Sequence, residues 1–288
     1  AQELGLVPGT VVGQGGVDAF IGMIGLGVVK PGSIAFITGS SHLVLGLADQ
    51  NFHSSGVWGT YPDAIIKGLG LVEGGQTSSG SMIKWFKNNF CGDLEELAEK
   101  EGKNVYEYMT PGAEEVGPGA EGLLIMDWWQ GNRTPYTDPN VRGMIYGLSL
   151  KHTKEHIFRA MMEGIAYGSE NILQSFRKNG MAPTEMYAAG GATNSDLFLQ
   201  IHADVSNVTI HVPEVKQAPC LGSAILASVT AGVYNTIEDA VANMVRFEKT
   251  VVPNEENHKV YQELFAQYQE VYPQFKDWMV KTSSIASR

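Results

Sequence analysis

The chain has 288 residues, 43% hydrophobic and 18% charged, which suits one large globular domain or two modest ones. Twenty basic and thirty-one acidic residues give a net charge of −11, which argues against loose electrostatic binding to nucleic acid or to an anionic membrane. No apolar run is long enough to span a bilayer, and no secretion signal is visible at the start.

The first half of the chain mixes short apolar runs with glycine-rich turns, which is typical of strands joined by tight loops. The predicted elements are, in chain order, a strand over 11–15, a helix over 18–28, a hairpin of strands 33–38 and 43–47, β-rich stretches over 58–61 and 64–72 that close at Glu73-Gly74-Gly75, and a helix over 77–89.

Residues 92–122 give the weakest structural signal, and 123–129 form an apolar run before a turn-rich loop over 131–138. The strongest helical pattern covers 153–178, with apolar residues at helical spacing and Gly180 as a stop. The later predicted elements are a strand over 186–189, helix 195–204, strand 208–212, helix 221–231 and an amphipathic helix over 255–272. Because strands alternate with helices and no linker is evident, we predict a single α/β domain.

Side-chain metal sites are not expected from this sequence. Cys91 and Cys220 are the only cysteines and are far apart, so neither a zinc nor a redox spacing occurs, and buried thiols in a reducing cytosol are expected. His152 and His156 do not form the H-E-x-x-H zinc-protease motif, because the residue that follows His152 is not glutamate.

Two glycine-rich segments could bind a phosphate. Gly39-Ser40-Ser41 lies at the predicted hairpin tip, and Gly190-Gly191 lies between a strand and a helix. Each can present backbone N–H groups to an anion, and each could equally be a plain turn. The P-loop, a G-x-G-x-x-G segment that opens a helix, and the protein-kinase motifs are absent.

Asp18 and Glu73 are the candidates for acid–base chemistry, since each carboxylate stands beside glycines. Asp18 could instead cap the helix that it begins, and Glu73 could be a solvated loop residue. Lys84 could meet an anion or be exposed. Trp128-Trp129 could stack on a sugar or pack in the core.

In order and spacing, these segments resemble the carboxy-terminal half of the FGGY carbohydrate kinases, within the actin-like ATPase superfamily. The similarity covers essentially the whole chain. The matching blocks are Leu4 to Thr10 followed by Gly15-Gly16-Val17-Asp18, Gly39-Ser40-Ser41 with serine in place of the usual threonine, Gly131-Asn132-Arg133-Thr134-Pro135 with Asp138, Gly190 to Ser195 with Gln200 and Asp204, and the small-residue helix from Ala218 to Ala224.

The branch of the family is indicated by two further blocks. Asp127 to Arg133 and Glu73-Gly74-Gly75-Gln76 look most like ribulokinases, whereas the tail at Arg246-Phe247-Glu248 and 257–261 is also similar to other branches, including kinases of quorum-signal sugars. A ketopentose such as ribulose or xylulose is therefore the preferred substrate.

The resemblance implies an actin-like ATPase (ribonuclease H-like) domain, α/β with a mixed sheet flanked by helices, as the second half of a two-domain sugar kinase. Residues 1–15 would be the interdomain crossing and 235–288 a helical tail, and the amino-terminal sugar-binding domain would lie outside this chain. The protein would be cytoplasmic, act on a small-molecule sugar substrate, form a homodimer, and bind neither nucleic acid nor membrane. This polypeptide alone would bind nucleotide weakly and show no appreciable turnover.

The resemblance also implies the roles of individual residues in transferring the γ-phosphoryl group of ATP to a sugar hydroxyl. Asp18 would be the catalytic base and would contact Mg²⁺ through water, and Glu73 would hold the sugar. The nucleotide would be bound by Gly39, Ser40, Ser41, Gly80, Lys84, Gly190, Gly191 and Asn194.

Two other classes of function stay open at the level of the sequence. A non-catalytic actin-like nucleotide-binding module would share the fold but would not need Asp18. A glycosidase would use two facing carboxylates with Trp128 and Trp129 as a platform, which explains neither glycine loop.

Overall fold

Strands that alternate with helices build a mixed sheet covered on both faces. A computed structural model describes residues 1–53, 56–57 and 59–286 of the chain, and the side chains of Gln2 and Ala286 are outside this description. Within the described residues, the main sheet has seven strands in the order β3-β4-β2-β1-β7-β8-β9, and β5 and β6 form a separate pair. The strands are β1 Ser33–Thr38, β2 His42–Ala48, β3 Thr60–Pro62, β4 Gly70–Gln76, β5 Leu124–Ile125, β6 Ile145–Tyr146, β7 Glu185–Gly190, β8 Thr209–Pro213 and β9 Phe247–Val251.

The central strands of the sheet are parallel and its flanks are antiparallel. β1 pairs with β7 and β7 with β8 in parallel, whereas β1–β2, β2–β4, β3–β4 and β8–β9 are antiparallel. Thr38, at the end of β1, is in register with Gly190 at the end of β7. The loops that follow these two strands therefore leave the same edge of the sheet, where ligands of open α/β folds bind.

Helices cover both faces of the sheet. They are α1 Asp18–Gly25, α2 Gly80–Phe90, α3 Gly92–Glu101, α4 Tyr106–Val116, α5 Lys154–Lys178, α6 Asp196–Ser206, α7 Ala218–Thr230, α8 Ile237–Met244 and α9 Glu255–Ala286. One face packs against α5 and α6 through a buried core that includes Phe36, Ile172 and Leu199. The opposite face packs against α1, α7 and α8 in a core that includes Leu45 and Ile225.

The close pairing of α1 with α7 explains the small residues in both helices. A Cβ atom on Gly25 would lie 1.9 Å from the carbonyl oxygen of Ala218, and one on Gly222 would lie 1.9 Å from the carbonyl oxygen of Ile21. The two backbones therefore touch directly, and only glycine fits at each crossing point. The small-residue segment from Ala218 to Ala224 thus serves helix packing.

Several predicted elements are confirmed with small shifts in their ends, including the hairpin, α5, α6 and the β7–β8 pair. The predicted strand over 11–15 is wrong, because that segment is exposed and pairs with no strand among the described residues. Residues 92–122, which gave little signal, hold α3 and α4. Trp58, at the start of the predicted stretch 58–61, lies outside the described residues.

The end of the chain differs from its prediction as well. The segment 235–288 holds α8, the strand β9 and the long helix α9, which continues past Pro273 rather than stopping at 272. Strand β9 was not predicted, because most of its residues are exposed and only its two end residues, Phe247 and Val251, are apolar. In the part of the chain that the structure describes, no helix combines the length and the apolar character needed to cross a bilayer.

Candidate active site

The ends of β1 and β7 are joined by side-chain and backbone contacts. The hydroxyl of Thr38 donates to the carbonyl oxygen of Ala189 at 2.8 Å and accepts from the N–H of Ala192 at 3.2 Å. Gly190, between these two residues, has φ +101° and ψ −172°, a conformation that essentially only glycine adopts. Gly190 therefore shapes the loop, and Gly191–Asn194 follow it as one turn of 3₁₀ helix.

The hairpin tip Gly39-Ser40-Ser41 is attached to the first turn of α2. The N–H of Gly80 donates to the carbonyl oxygen of Gly39 at 3.2 Å, and the N–H of Ser81 donates to that of Ser40 at 3.1 Å. The side chains of Ser40 and Ser41 are exposed. The tip thus holds two hydroxyl groups at the edge of the sheet, with its backbone fixed by α2.

A cleft of about 770 Å³ opens beside these two loops. Four of the predicted nucleotide-binding residues line it, and these are Gly39, Gly80, Gly191 and Asn194. Its remaining walls come from α4, from Phe158 and Met162 of α5, and from the start of α6. The size and the largely apolar walls that also carry polar groups are typical of a small-molecule site.

The floor of the cleft contains a buried histidine that the sequence analysis did not single out. His42 begins β2, is 2% exposed and packs edge-on against the ring of Phe198 at 5.8 Å. Its pKa lies well below the ordinary value, because burial removes water from the charged form and the nearby His202 opposes it, while a hydrogen bond with Gln76 acts in the other direction. The cleft floor is therefore uncharged at neutral pH.

Asp18 lies outside the cleft, at the start of α1. Val17 is the N-cap residue and Asp18 is the first residue of the helix, so the interpretation of Asp18 as the helix cap is wrong. Its Oδ1 accepts from the N–H of Ala19 at 2.8 Å, and the side chain is exposed. A carboxylate in the first turn is favoured by the helix dipole, and its exposure leaves it accessible to a substrate.

Glu73 lies within β4 rather than in a loop, so the interpretation as a solvated loop residue is wrong. It is in register with Leu45 of β2, which packs in the core that α1 shares, so Glu73 lies on the α1 face of the sheet. Its carboxylate forms an ion pair with Arg133, and its side chain is 13% exposed.

The predicted site residues therefore form two groups, one at the cleft and one on the α1 side of the sheet. Three of the predicted residues do not line the cleft but follow or precede lining residues in the sequence, and these are Ser40, Ser41 and Gly190. Lys84 is exposed on α2, outside the cleft. Asp18 and Glu73 are on the α1 side of the sheet. The α4 wall was missed because residues 106–116 carry neither a glycine motif nor a clear apolar period.

Two further segments of the sequence motifs serve the fold. Trp128 is fully buried and donates from Nε1 to the hydroxyl of Tyr268 at 3.1 Å, and Trp129 packs on Trp85. They therefore offer no exposed platform for a glycosidase. Asp204 is also buried, and it accepts from Asn254 and Asn257 at the start of α9.

The side chains of the candidate site suit Mg²⁺ only if substrate phosphates and water supply most of its ligands. Among the described residues, no three His, Cys, Asp or Glu side chains converge as a metal site. Mg²⁺ keeps several waters and commonly takes one carboxylate together with substrate phosphates. The exposed carboxylate of Asp18 fits such a water-mediated contact.

Comparison with known proteins bears on all of these elements. The family model described as FGGY family of carbohydrate kinases, C-terminal domain, matches residues 34–231. The chain belongs to the FGGY family. This FGGY domain is 37% identical over 282 residues to a ribulokinase of Shouchella clausii and 37% identical over 284 residues to one of Geobacillus thermodenitrificans. Each match covers 96% of the chain and 50% of the relative, so the chain spans about half the length of the curated relatives that it matches.

Solved structures show the same fold. A xylulose kinase from Rhodospirillum rubrum superposes on the FGGY domain with a TM-score of 0.83 at 24% identity, covering 96% of this chain and 54% of that one. A Plasmodium falciparum glycerol kinase with ADP superposes with a TM-score of 0.75 at 20% identity, over 88% of this chain and 49% of that one. The predicted actin-like ATPase fold class is confirmed, and the match is to the C-terminal domain of the FGGY family. The homodimer, the cytoplasmic location and the assignment of 1–15 to an interdomain crossing stay predictions.

Proposed function

We propose that the full-length protein transfers the γ-phosphoryl group of ATP to a hydroxyl of a ketopentose such as ribulose or xylulose. The observation that carries this proposal is the placement of the two glycine loops, since Gly39, Gly80, Gly191 and Asn194 line one cleft at the ends of β1 and β7. The similarity to ribulokinases along 96% of the chain supports the choice of a ketopentose.

In this proposal the nucleotide occupies the cleft. Its base and ribose would lie among Gly191, Asn194 and the α4 wall, and the hydroxyls of Ser40 and Ser41 would donate hydrogen bonds to its terminal phosphates. Gly80 allows the start of α2 to approach the hairpin tip, which keeps these hydroxyls at the mouth of the cleft. Lys84, which is exposed on α2, would act only as a distant cation.

Asp18 is assigned as the general base that takes the proton of the sugar hydroxyl during in-line transfer. Glu73 is assigned as a sugar ligand, because its carboxylate can accept hydrogen bonds from hydroxyl groups. When bound, Mg²⁺ would neutralise charge on the transferred phosphates, and Asp18 would contact it through water. In the curated relatives the chain corresponds to only half of the length, so residues 1–288 alone are proposed to bind nucleotide weakly and to lack sugar-dependent turnover.

The decisive experiment is the substitution Asp18→Asn in the full-length protein, assayed for ADP release against a panel of ketopentoses, polyols and quorum-signal sugars. We expect kcat to fall by about 10²–10⁴ while the Kd of an ATP analogue stays near that of the wild type. The control is Asp49→Asn, another exposed aspartate, which should keep wild-type kcat. A fully active Asp18→Asn variant contradicts the assignment of Asp18 as the base, whereas a wild-type protein that releases no ADP with any sugar of the panel favours a non-catalytic nucleotide-binding module and contradicts the proposal.

A further inference from the structure

The side chain of Arg133 crosses β4 through a gap in the row of side chains. A Cβ atom on Gly75 would lie 3.0 Å from Nη1 of Arg133 and 3.5 Å from its Cδ. The arginine stem therefore occupies the space that a side chain at position 75 would fill, and its Nη2 reaches Oε1 of Glu73 two residues earlier on the same face. Gly75 is thus the opening through which Arg133 meets Glu73.

The loop that carries Arg133 is fixed to the end of β4 at two points and is closed by a backbone pair of its own. Thr77 donates from its hydroxyl to the carbonyl oxygen of Gly131 at 2.7 Å, and the N–H of Gly75 donates to the hydroxyl of Thr134 at 3.2 Å. The backbones of Asn132 and Asp138 exchange two hydrogen bonds of 2.8 Å, which closes the loop. The base of the Arg133 side chain is therefore held on both sides.

The neighbouring glycine, Gly74, is required for a different reason. A Cβ atom on Gly74 would lie 2.4 Å from Cγ2 of Ile172, on the α5 face of the sheet. Gly74 therefore allows α5 to pack closely, and only Gly75 relates to Arg133. The Glu-Gly-Gly sequence thus combines one packing residue with one opening for an arginine.

The partial exposure of the pair separates it from a purely structural ion pair. The Glu73 side chain is 13% exposed and that of Arg133 is 30% exposed, so a ligand can reach the carboxylate from one side. Partly exposed pairs of this kind contribute little to stability. A glutamate has several rotatable bonds, and holding it in one orientation before binding lowers the entropy lost when a ligand is ordered.

We propose that Arg133 is a positioning residue that holds the carboxylate of Glu73 for the hydroxyl groups of a ketopentose. This inference rests on the proposed function. It assigns to Arg133 an effect on sugar binding that passes through Glu73, and it assigns to Gly75 the space that the arginine needs. Arg133 would have no effect on the nucleotide cleft, which it does not line.

The test uses the full-length protein with the variants Arg133→Met, Arg133→Lys, Glu73→Gln and the double variant Arg133→Met/Glu73→Gln. We expect Arg133→Met to raise the KM for the ketopentose by about tenfold and leave the KM for ATP unchanged. Arg133→Lys should recover part of the loss, because it keeps the charge but not the planar fork. The double variant should be no worse in sugar KM than Glu73→Gln alone.

The matched control is Arg142→Met, because Arg142 is an exposed arginine of the same region that donates to the carbonyl oxygens of Pro139 and Val141. It should keep the wild-type sugar KM. The inference is overturned if Arg133→Met leaves the sugar KM unchanged, if it raises the KM for ATP equally, or if its effect multiplies that of Glu73→Gln. A wild-type protein that phosphorylates no sugar in the panel overturns the proposed function and this inference together.

If Arg133→Met does not fold, Arg133→Lys and Glu73→Gln give the same decision. Sugar binding measured by calorimetry without nucleotide then replaces KM. The positioning role is supported if Arg133→Lys binds sugar more weakly than the wild type while Arg133→Lys/Glu73→Gln binds it as well as Glu73→Gln alone. Unchanged sugar binding by Arg133→Lys overturns the positioning role.

Discussion

The main chain of Gly190 lies directly against that of Thr38, so that a Cβ atom on Gly190 would be 1.8 Å from the carbonyl oxygen of Thr38. The positive φ of Gly190 adds a second reason for glycine at this position. The contact joins the ends of the two parallel strands from which both glycine loops leave the sheet. The geometry of the cleft therefore depends on the absence of one side chain.

Substitution Gly190→Ala should lower the free energy of unfolding by about 2 kcal/mol or more, since backbone strain adds to the overlap with Thr38. The measurement is chemical denaturation followed by fluorescence. The matched control is Gly191→Ala, because a Cβ there meets no atom within 4 Å and its φ is not positive. Equal stability of the two variants would contradict this account.

The contact of Gly80 with the hairpin tip leads to a prediction about nucleotide affinity. A Cβ atom on Gly80 would lie 2.3 Å from the carbonyl oxygen of Gly39. Although alanine favours helices, Gly80→Ala should push the tip away from α2 and raise the Kd for ADP by about tenfold in the full-length protein. Isothermal titration calorimetry measures this change.

The control for Gly80→Ala is Ser81→Ala on the next residue. The hydroxyl of Ser81 is buried and has no hydrogen-bond partner among the described residues. Its removal should leave ADP affinity unchanged and keep or slightly raise stability, because an unsatisfied polar group is lost. Wild-type ADP binding by Gly80→Ala would show that the tip does not position the nucleotide.

Local patterns in the sequence were sufficient for elements whose form depends on neighbours along the chain. The hairpin of β1 and β2 follows from two apolar runs around Gly39-Ser40-Ser41. The start of α6 follows from Ser195, whose hydroxyl accepts from the N–H of Phe198 at 3.2 Å. These signals lie within a few residues of the structure that they specify.

Features that depend on distant contacts could not be predicted in the same way. The segment Glu73-Gly74-Gly75 has the pattern of a turn, but each glycine leaves space for a residue far along the chain. That residue is Ile172 for Gly74 and Arg133 for Gly75. The motifs identified the candidate residues of the site. The sequence could not indicate that Asp18 and Glu73 lie outside the cleft that the glycine loops line.

Asp204 illustrates the same limit and provides a further prediction. Asp204 belongs to one of the sequence blocks that match the FGGY family, yet its buried carboxylate accepts from Gln200, from the N–H of Asn254 and from Asn257, at 2.7, 2.7 and 2.8 Å. Asp204→Ala leaves three donors without their acceptor and should lower the free energy of unfolding by about 3 kcal/mol.

The Kd of the folded Asp204→Ala variant for ADP should stay at the wild-type value, because Asp204 does not line the cleft. Asp196→Ala, at the exposed start of the same helix, is the control for stability and should unfold near the wild-type denaturant concentration. Loss of ADP binding below the unfolding transition of Asp204→Ala would instead place Asp204 in nucleotide recognition.

A buried carboxyl group gives the protein a pH-dependent stability. Asp127 is 3% exposed, and its carboxylate accepts from Gln76 at 2.9 Å and from Tyr268 at 2.6 Å. Burial raises its pKa from the ordinary 3.8 to about 6, and the two hydrogen bonds only partly offset this rise. Between these two values the folded protein binds the proton more tightly than the unfolded chain.

The stability contributed by protonated Asp127 is therefore present below about pH 4 and is lost as the pH rises through 6. Asp127→Asn removes this titration. The free energy of unfolding of the wild type minus that of the variant should fall by about 2 kcal/mol between pH 4 and pH 7, as measured by urea denaturation at each pH. The exposed Asp93 is the control, because its contact with Lys154 lowers its pKa. The same difference for Asp93→Asn should change in the opposite direction, rising with pH, and a flat difference for Asp127→Asn would show that the folded protein does not shift this carboxyl group.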